Sequence, residues 1–164
     1  MYYEEMPLFY RIRRCQTDRH NLRSIDLYDQ SVIEGLDRLC FPEDEPYSVD
    51  GRWWWLVEDS EENPVGFAGL APVRAEPGVW FLCRAGVLAD HRRQGLAQRL
   101  VKARIAFAKS VGASAIITYV DRDNIASGNN LIKAGFKLCV PAYRYGGDFA
   151  IYFCLDFPRI SKRV

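Results

Sequence analysis

Apolar positions along the chain follow two periods, and each change of period marks the boundary of a predicted element. Runs rich in aromatic and β-branched residues, several of them alternating with polar residues, predict strands. A spacing of three or four residues between apolar positions predicts helices. The predicted strands are residues 9–15, 52–58, 65–73, 79–88, 113–121, 136–145 and 148–157, and the main predicted helices are 24–39, a helix from Arg93 that Gly112 ends, and 125–134.

Two of these helices are predicted to bury one face. In the helix 24–39, the apolar residues of this face are Ile25, Tyr28, Val32, Ile33, Leu36 and Leu39, which form an apolar stripe. The stripe of the second consists of Leu96, Leu100, Ala103, Phe107 and Val111, with Ile105 and Ala108 alongside. A short helix is also predicted to begin at Thr17 or Asp18, and Gly146-Gly147 predicts a tight hairpin between the last two strands.

The order of the predicted elements indicates the fold class. A run of antiparallel strands is followed by a strand, helix and strand in βαβ order, which predicts an α/β protein with a mixed, mostly antiparallel sheet and helices on both faces. No linker, repeat or low-complexity segment interrupts the pattern. A length of 164 residues suits one domain, so residues 1–164 are predicted to form a single domain.

The junction between the fourth predicted strand and the following helix carries the strongest chemical signal. Its residues Arg92-Arg93-Gln94-Gly95-Leu96-Ala97 have the form R-x-x-G-x-A. The first turn of a helix presents unpaired backbone amides at the positive end of the helix dipole, which suits a phosphate group. The alternative is an ordinary amphipathic helix that begins with a glycine and solvated arginines. Neither the P-loop motif nor the G-x-G-x-x-G dinucleotide motif is present in the sequence.

Composition narrows the classes of function. A net charge of +1 argues against a general nucleic-acid-binding protein, and no apolar run is long enough to span a membrane. The five cysteines form no C-x-x-C motif, and their odd number fits free thiols in a reducing compartment. With two histidines in the chain, a zinc site or a Ser-His-Asp triad is not expected, so no metal is predicted. The acidic first residues do not resemble a signal peptide, and a cytoplasmic location is expected.

Two segments in order resemble the signature motifs of the GNAT acetyltransferase family. Residues 87–97, V-L-A-D-H-R-R-Q-G-L-A, are similar to its R/Q-x-x-G-x-G/A motif after a strand ending in valine. Residues 124–136, N-I-A-S-G-N-N-L-I-K-A-G-F, are similar to a second segment with the pattern N-x-x-S…K-x-G-F. The resemblance covers roughly residues 50–157. It implies a fold in which the strands 79–88 and 113–121 part to admit the pantetheine arm of acetyl-CoA.

The resemblance implies a set of cofactor-binding residues. In the family, the amides of the R-x-x-G-x-A motif grip the pyrophosphate of acetyl-CoA, the preceding strand hydrogen-bonds the pantetheine arm, and the later Asn faces the cofactor. Carried over to this sequence, those positions are Ala85, Val87, Arg92, Arg93, Gln94, Gly95, Leu96, Ala97, Asn124 and Ser127. Asn124 also suits the N-cap of the following helix, and the two roles are compatible.

The catalytic side chains are less clearly indicated. The family's usual general acid is a Tyr at the position of Leu131, which has no proton to give. Tyr119 and Ser127 are the predicted catalytic residues, with packing in a strand as the alternative role of Tyr119. Two tyrosines, Tyr143 and Tyr145, are weaker candidates. An acidic loop containing Glu43, Asp44 and Glu45, with Phe41 and Tyr47 at its ends, could deprotonate an amine or line its site; the alternative is a solvated connector with Phe41 in the core.

These observations together predict an N-acetyltransferase that moves an acetyl group from acetyl-CoA to a primary amine. The amine would be a small molecule, a peptide N-terminus or a lysine, and attack would be direct, within a ternary complex. The alternative, suggested by Leu131, is a non-catalytic acyl-CoA-binding or sensor module. The expected partners are acetyl-CoA and the amine acceptor, without nucleic acid or membrane, and the chain is expected to act as a monomer or homodimer.

Overall fold

A computed structural model describes residues 9–17 and 25–158 of the chain. The strands are β1 (Arg11–Arg14), β2 (Trp53–Glu58), β3 (Pro64–Pro72), β4 (Val79–Val87), β5 (Ala115–Asp121), β6 (Lys137–Leu138) and β7 (Ala150–Asp156). The helices are α1 (Leu27–Cys40), α2 (Leu96–Ser110) and α3 (Ile125–Lys133), and a 3₁₀ turn spans Ala89–His91. The short helix predicted from Thr17 or Asp18 falls largely outside the described residues.

The described strands form one seven-stranded sheet in the order β1-β2-β3-β4-β5-β7-β6. Strand β4 pairs with β5 in parallel, whereas the pairs β1–β2, β5–β7 and β6–β7 are antiparallel. A parallel pair needs a long crossover connection, and α2 with its preceding turn supplies it between β4 and β5. The mixed sheet with its βαβ unit confirms the predicted fold class.

The chain divides into two compact units, each assembled from two separate segments. The first unit contains the described residues up to Ala68 together with Ala85–Leu96. The second contains Gly69–Arg84 together with the described residues from Ala97 onward.

The core of the first unit lies between α1 and the strands β1 to β3. Its buried side chains are Cys15, Ile25, Ile33, Leu36, Val49, Trp54, Leu56 and Phe67. The indole N–H of Trp54 is satisfied by the carbonyl of Val49 at 2.9 Å, so this large aromatic side chain is buried without an unpaired donor. Helix α1 begins at its N-cap Asp26, whose carboxylate accepts a hydrogen bond from the amide of Asp29 at 2.8 Å.

The buried face of α1 is not the stripe that the sequence predicts. Tyr28 and Leu39 are 71% and 70% exposed, whereas Asp29 and Asp37 are buried beside Ile33 and Leu36. The helix is rotated relative to the prediction because its two aspartates have partners inside the unit. Asp29 accepts two hydrogen bonds from Arg13, and Asp37 accepts one from the amide of Tyr47.

The predicted hairpin at Gly146-Gly147 is wrong. Strand β6 pairs with β7 through Lys137 with Cys154 and Leu138 with Phe153, and a long loop connects the two strands. Pro141 in that loop has no N–H to donate to a ladder. Gly146 instead packs on a neighbouring ring, because a Cβ at Gly146 would lie 2.9 Å from Cδ2 of Tyr119. The amide of Gly146 donates to the hydroxyl of Tyr152 at 2.7 Å.

Candidate functional site

The turn between β4 and α2 has an unusual backbone. Arg93 has a positive φ of 62°, which few residues other than glycine adopt, and Gly95 follows with a φ of 72°. Before them, the amides of His91 and Arg92 donate to the carbonyls of Leu88 and Ala89 and close the 3₁₀ turn. A left-handed arginine in an exposed turn is a local strain of a kind that clusters at functional sites.

Gly95 combines a left-handed backbone with open space. A Cβ built on Gly95 meets no atom of the protein within 4 Å, so the positive φ, rather than crowding inside the protein, requires glycine here. Helix α2 begins at the next residue, Leu96, and its first turn carries no acidic side chain. The amides of that turn have no acceptor within the helix, and the positive end of the dipole faces no carboxylate of its own turn. This arrangement suits a phosphate group.

Two consecutive arginines, Arg92 and Arg93, lie in this turn. The Nε atom of Arg92 donates to the carbonyl of Val87 at 3.0 Å, which fixes the guanidinium beside the last residue of β4. Arg93 is exposed. A contact of either arginine side chain with a phosphate stays a prediction.

The parallel ladder between β4 and β5 ends within the second unit. Their parallel register runs from Val79 with Ala115 to Phe81 with Ile117. One residue further on, the hydroxyl of Thr118 donates to the carbonyl of Leu82 at 3.0 Å. Both strands continue past this point, β4 to Val87 and β5 to Asp121. The parallel ladder between the two strands therefore ends before either strand does, in agreement with what the family resemblance implied.

Tyr119 lies on β5 directly after this point and is surrounded by aromatic rings. Its ring centroid is 5.7 Å from those of Phe81 and Tyr152, and Gly146 packs against its edge. Burial, followed by the nearby hydroxyl of Tyr152 and the carboxylate of Asp121, raises the pKa of Tyr119. The phenol is therefore protonated at neutral pH, and it can donate a proton but is a poor base.

Asn124 and Ser127 lie together at the start of α3. The side-chain oxygen of Asn124, the N-cap of this helix, accepts a hydrogen bond from the amide of Ser127 at 3.2 Å. The capping role predicted for Asn124 is confirmed. Asn124 is exposed and Ser127 is half-buried, and a contact of either side chain with a cofactor stays a prediction.

The position of the family's general acid is occupied by a core residue. Leu131 is 4% exposed and lies on the buried side of α3 with Gly128. No proton donor can act from this side chain. Sequence reasoning identified this departure, and the burial of Leu131 shows that the position serves packing.

The acidic loop after α1 is anchored at its aromatic ends. Phe41 packs edge-to-face on Phe67, and Tyr47 packs edge-to-face on Trp54. Between them, Glu43, Asp44 and Glu45 are exposed. The structure therefore agrees with the interpretation that Phe41 packs into the core, and a role of the three acids in deprotonation stays a prediction.

The weaker tyrosine candidates lie in the loop between β6 and β7. Tyr145 packs on Phe81 with ring centroids 5.9 Å apart, and its hydroxyl donates to the carboxylate of Glu76 at 3.4 Å. Tyr143 contacts Tyr145 with centroids 6.3 Å apart. These rings and Tyr119 form one aromatic cluster in the second unit, beside the point where β4 and β5 part.

Sequence reasoning missed two residues near that point. Thr118 supplies the hydroxyl at the end of the β4–β5 register, and Arg104 is buried against the strands with 3% of its surface exposed. The signal for Arg104 was available in the sequence. Residues 96, 100, 104 and 108 are spaced by four, which places Arg104 on the same helix face as the buried Leu100 and Ala108.

Within residues 9–17 and 25–158, no group of three or more His, Cys, Asp or Glu side chains could hold a metal ion. In the same ranges, no helix is long and apolar enough to cross a membrane.

Several solved structures are similar in fold, and two of the following three are named as acetyltransferases. The ribosomal-protein-S18-alanine N-acetyltransferase from Escherichia coli is 16% identical, with a TM-score of 0.70 over 95% of this chain and 99% of that chain. The IAA acetyltransferase from Bacillus cereus is 13% identical, with a TM-score of 0.69 over 91% of this chain and 100% of that chain. The NatC complex bound to Gag peptide and CoA contains a chain that is 19% identical, with a TM-score of 0.66 over 93% and 100% of the two chains.

The family of the chain follows from its sequence. The model of the Acetyltransferase (GNAT) family matches residues 32–136, which is more than half of the chain. The chain belongs to this family and is an acyltransferase by class. No curated protein sequence matches it significantly.

Proposed function

We propose that the chain transfers an acetyl group from acetyl-CoA to a primary amine by direct attack. One observation carries the proposal. In a member of the GNAT family, the β4–β5 ladder ends before either strand does, and β4 then leads through a left-handed turn into a helix whose first turn has no acidic side chain. Paired strands would leave no backbone free for a pantetheine arm, and an acidic first turn would repel a pyrophosphate.

The residues of the turn fit the pyrophosphate of acetyl-CoA. The amides of Arg93, Gln94, Gly95, Leu96 and Ala97 would donate to its oxygens, and the guanidinium of Arg92 would add positive charge beside them. The open space beside Gly95 would let an oxygen approach the backbone. The backbone of Ala85 and Val87 on β4 would hydrogen-bond the amides of the pantetheine arm. Asn124 and Ser127 would contact the cofactor from the start of α3.

In acetyl transfer, the protein would position the two reactants, accept a proton from the amine and donate a proton to the leaving thiolate. The amine nitrogen attacks the carbonyl carbon, the carbon–sulfur bond breaks, and the sulfur leaves as a thiolate. A proton leaves the amine for water or for a carboxylate of the loop that contains Glu43, Asp44 and Glu45. The thiolate takes a proton from Tyr119, because the raised pKa of that phenol keeps it protonated. Ser127 is the second candidate donor.

The buried Leu131 supports one alternative, a non-catalytic acyl-CoA-binding module. A family member without a proton donor at this position could retain the cofactor site and lose turnover. This alternative predicts binding of acetyl-CoA without release of thiol on any amine.

Calorimetric titration with acetyl-CoA, followed by a thiol-release assay, tests the proposal. The acceptor panel should begin with peptides carrying free N-termini, because two structures similar in fold are named for a protein alanine and for a bound peptide. Small amines and lysine peptides follow. Binding with thiol release on one acceptor class supports the enzyme, binding without release supports the alternative, and no binding overturns both.

The same assay tests Tyr119. Tyr119→Phe preserves the ring packing and removes the hydroxyl, so turnover should fall by about a hundredfold or more while the affinity for acetyl-CoA stays unchanged. Unchanged turnover would mean that Tyr119 serves only the aromatic cluster.

A further inference from the structure

Arg104 is a buried cation that, within the described residues, donates its hydrogen bonds to backbone carbonyls and to no Asp or Glu side chain. It lies on α2 in the second unit with 3% of its surface exposed. Its Nε atom donates to the carbonyl of Leu100 at 3.1 Å, and its Nη1 atom donates to the carbonyls of Gly69 at 3.1 Å and Cys83 at 3.3 Å. One side chain therefore joins α2 to β3 and β4 within this unit.

Such a residue is a poor choice for stability alone. Taking a guanidinium out of water carries a large desolvation cost, and backbone carbonyls do not neutralise its charge. Burial lowers the pKa of Arg104 to about 10, which leaves the group charged at neutral pH. A long apolar side chain could fill the same space without that desolvation cost. Stability alone therefore does not explain why an arginine at this position hydrogen-bonds β3 and β4.

The position of those bonds along β4 supplies one. The carbonyl of Leu82 accepts from Thr118 of β5, and the carbonyl of the next residue, Cys83, accepts from Arg104. Successive carbonyls of an extended strand point in opposite directions, so β4 is held from its two sides at neighbouring residues. Leu82 and Cys83 directly follow Phe81, the last residue of β4 in the register with β5. The two hydrogen bonds therefore hold β4 where its ladder with β5 ends.

We propose that Arg104 is a positioning residue for acetyl transfer, which fixes the backbone of β4 at the point where it parts from β5. The proposal rests on the proposed function, because β4 beyond Cys83 is the segment assigned to the pantetheine arm. Without the hydrogen bonds to Gly69 and Cys83, this part of β4 would fluctuate and the thioester would be held less accurately. A displacement of 1 Å can cost about a hundredfold in rate.

Three variants test the role of Arg104. Arg104→Met has a similar length and no charge, Arg104→Lys keeps the charge with fewer fixed donors, and Lys102→Met removes an exposed cation from the same helix as a control. Amide hydrogen exchange over residues 82–87 is measured together with Tm, the affinity for acetyl-CoA and kcat/KM.

We expect Arg104→Met to remain folded and to exchange its β4 amides at least tenfold faster than the parent protein. Its kcat/KM should fall at least tenfold, more than a change in Tm explains, and Arg104→Lys should recover part of both. Exchange and kcat/KM within twofold of the parent would overturn the proposal, as would equal effects in Lys102→Met. If Arg104→Met does not fold, the same comparison is made with Arg104→Lys.

The exchange measurement separates this proposal from the proposed function. If the parent protein neither binds nor turns over acetyl-CoA, the proposed function fails. The exchange of residues 82–87 still reports whether Arg104 holds β4.

Discussion

Gly95 is the single residue on which the phosphate-binding turn depends most directly. Its φ of 72° is costly for a residue with a Cβ, and the space beside it is open toward solvent or a ligand. Asn and Asp tolerate this backbone region better than other residues and have nearly the same shape. The two substitutions therefore separate the effect of charge from the effect of backbone strain.

We expect Gly95→Asp to abolish detectable binding of acetyl-CoA, because it places a carboxylate where the pyrophosphate would lie. Gly95→Asn should weaken binding much less, with a difference between the two variants of at least tenfold in Kd. Calorimetric titration of both variants measures this difference. Equal affinities for the two variants would show that no anion binds at this turn.

Gly86 and Gly35 illustrate how the surroundings decide the effect of adding one methyl group. A Cβ at Gly86 would lie 2.9 Å from atoms of Cys40 and Phe67, whereas a Cβ at Gly35 in α1 would meet nothing within 4 Å. Gly86→Ala should therefore lower the free energy of unfolding by about 1–3 kcal/mol through overpacking. Gly35→Ala should raise it by about 0.5–1 kcal/mol through helix propensity.

Urea denaturation of Gly86→Ala and Gly35→Ala checks both values. The informative result is that the free energy of unfolding falls in Gly86→Ala and rises in Gly35→Ala. If both variants changed stability in the same direction, the contact between the end of α1 and β4 would be looser than described.

At the scale of elements, Arg13 joins α1 to the first two strands. It donates from Nη atoms to both carboxylate oxygens of Asp29 on α1 and from Nε to Glu58 on β2 at 2.6 Å. Asp29 and Glu58 have 3% and 8% of their side-chain surfaces exposed. Burial alone would raise the pKa of each acid, but the hydrogen bonds from Arg13, and for Glu58 also those from Arg11, outweigh it and hold both pKa values below the usual range.

A carboxyl group with a lowered pKa stabilises the folded state above its unfolded pKa of about 4 and loses that contribution as the pH falls further. The parent protein should therefore lose stability as the pH falls below about 4. Arg13→Met should cost about 3 kcal/mol at pH 7, because it removes the cation that Asp29 shares with Glu58 and leaves Glu58 with Arg11 alone. It should also show a smaller loss of stability in acid.

Urea titrations at pH 7 and pH 3.5 measure both effects of Arg13→Met. Arg38→Met, which removes an exposed cation from the last turn of α1, is the control and should cost less than about 1 kcal/mol. An acid dependence identical to that of the parent would mean that Arg13 does not control these two pKa values.

At the scale of the whole molecule, binding of acetyl-CoA should appear as thermal stabilisation. A ligand at one hundred times its Kd that binds only the folded state adds about 2.7 kcal/mol. For a chain of this length, that corresponds to a rise in Tm of roughly 5–10 °C. Thermal denaturation with and without acetyl-CoA measures the rise. Gly95→Asp should show none, and an equal rise in that variant would place the ligand elsewhere.

The spacing of apolar residues, glycines and prolines is sufficient to predict the order of the elements and the class of the fold. Apolar spacing located three helices and the strands β2 to β5 to within a few residues, because those runs are long and bounded by glycine, proline and polar turns. It also located the R-x-x-G-x-A turn, since that signal lies in consecutive residues. The departure at Leu131 was visible for the same reason.

Which helix faces are buried, and which partners the polar side chains have, depends on the folded arrangement of the elements. Asp29 and Asp37 are buried because Arg13 and the amide of Tyr47 meet them from other elements, and no helical spacing records that. Gly146 packs on Tyr119 instead of forming a two-residue turn, because the ring reaches it from a different strand. The hydrogen bonds from Arg104 to the carbonyls of Gly69 and Cys83 likewise join residues far apart in the chain. Local spacing is fixed by bonds along the backbone, whereas these pairings depend on contacts that form only when the chain folds.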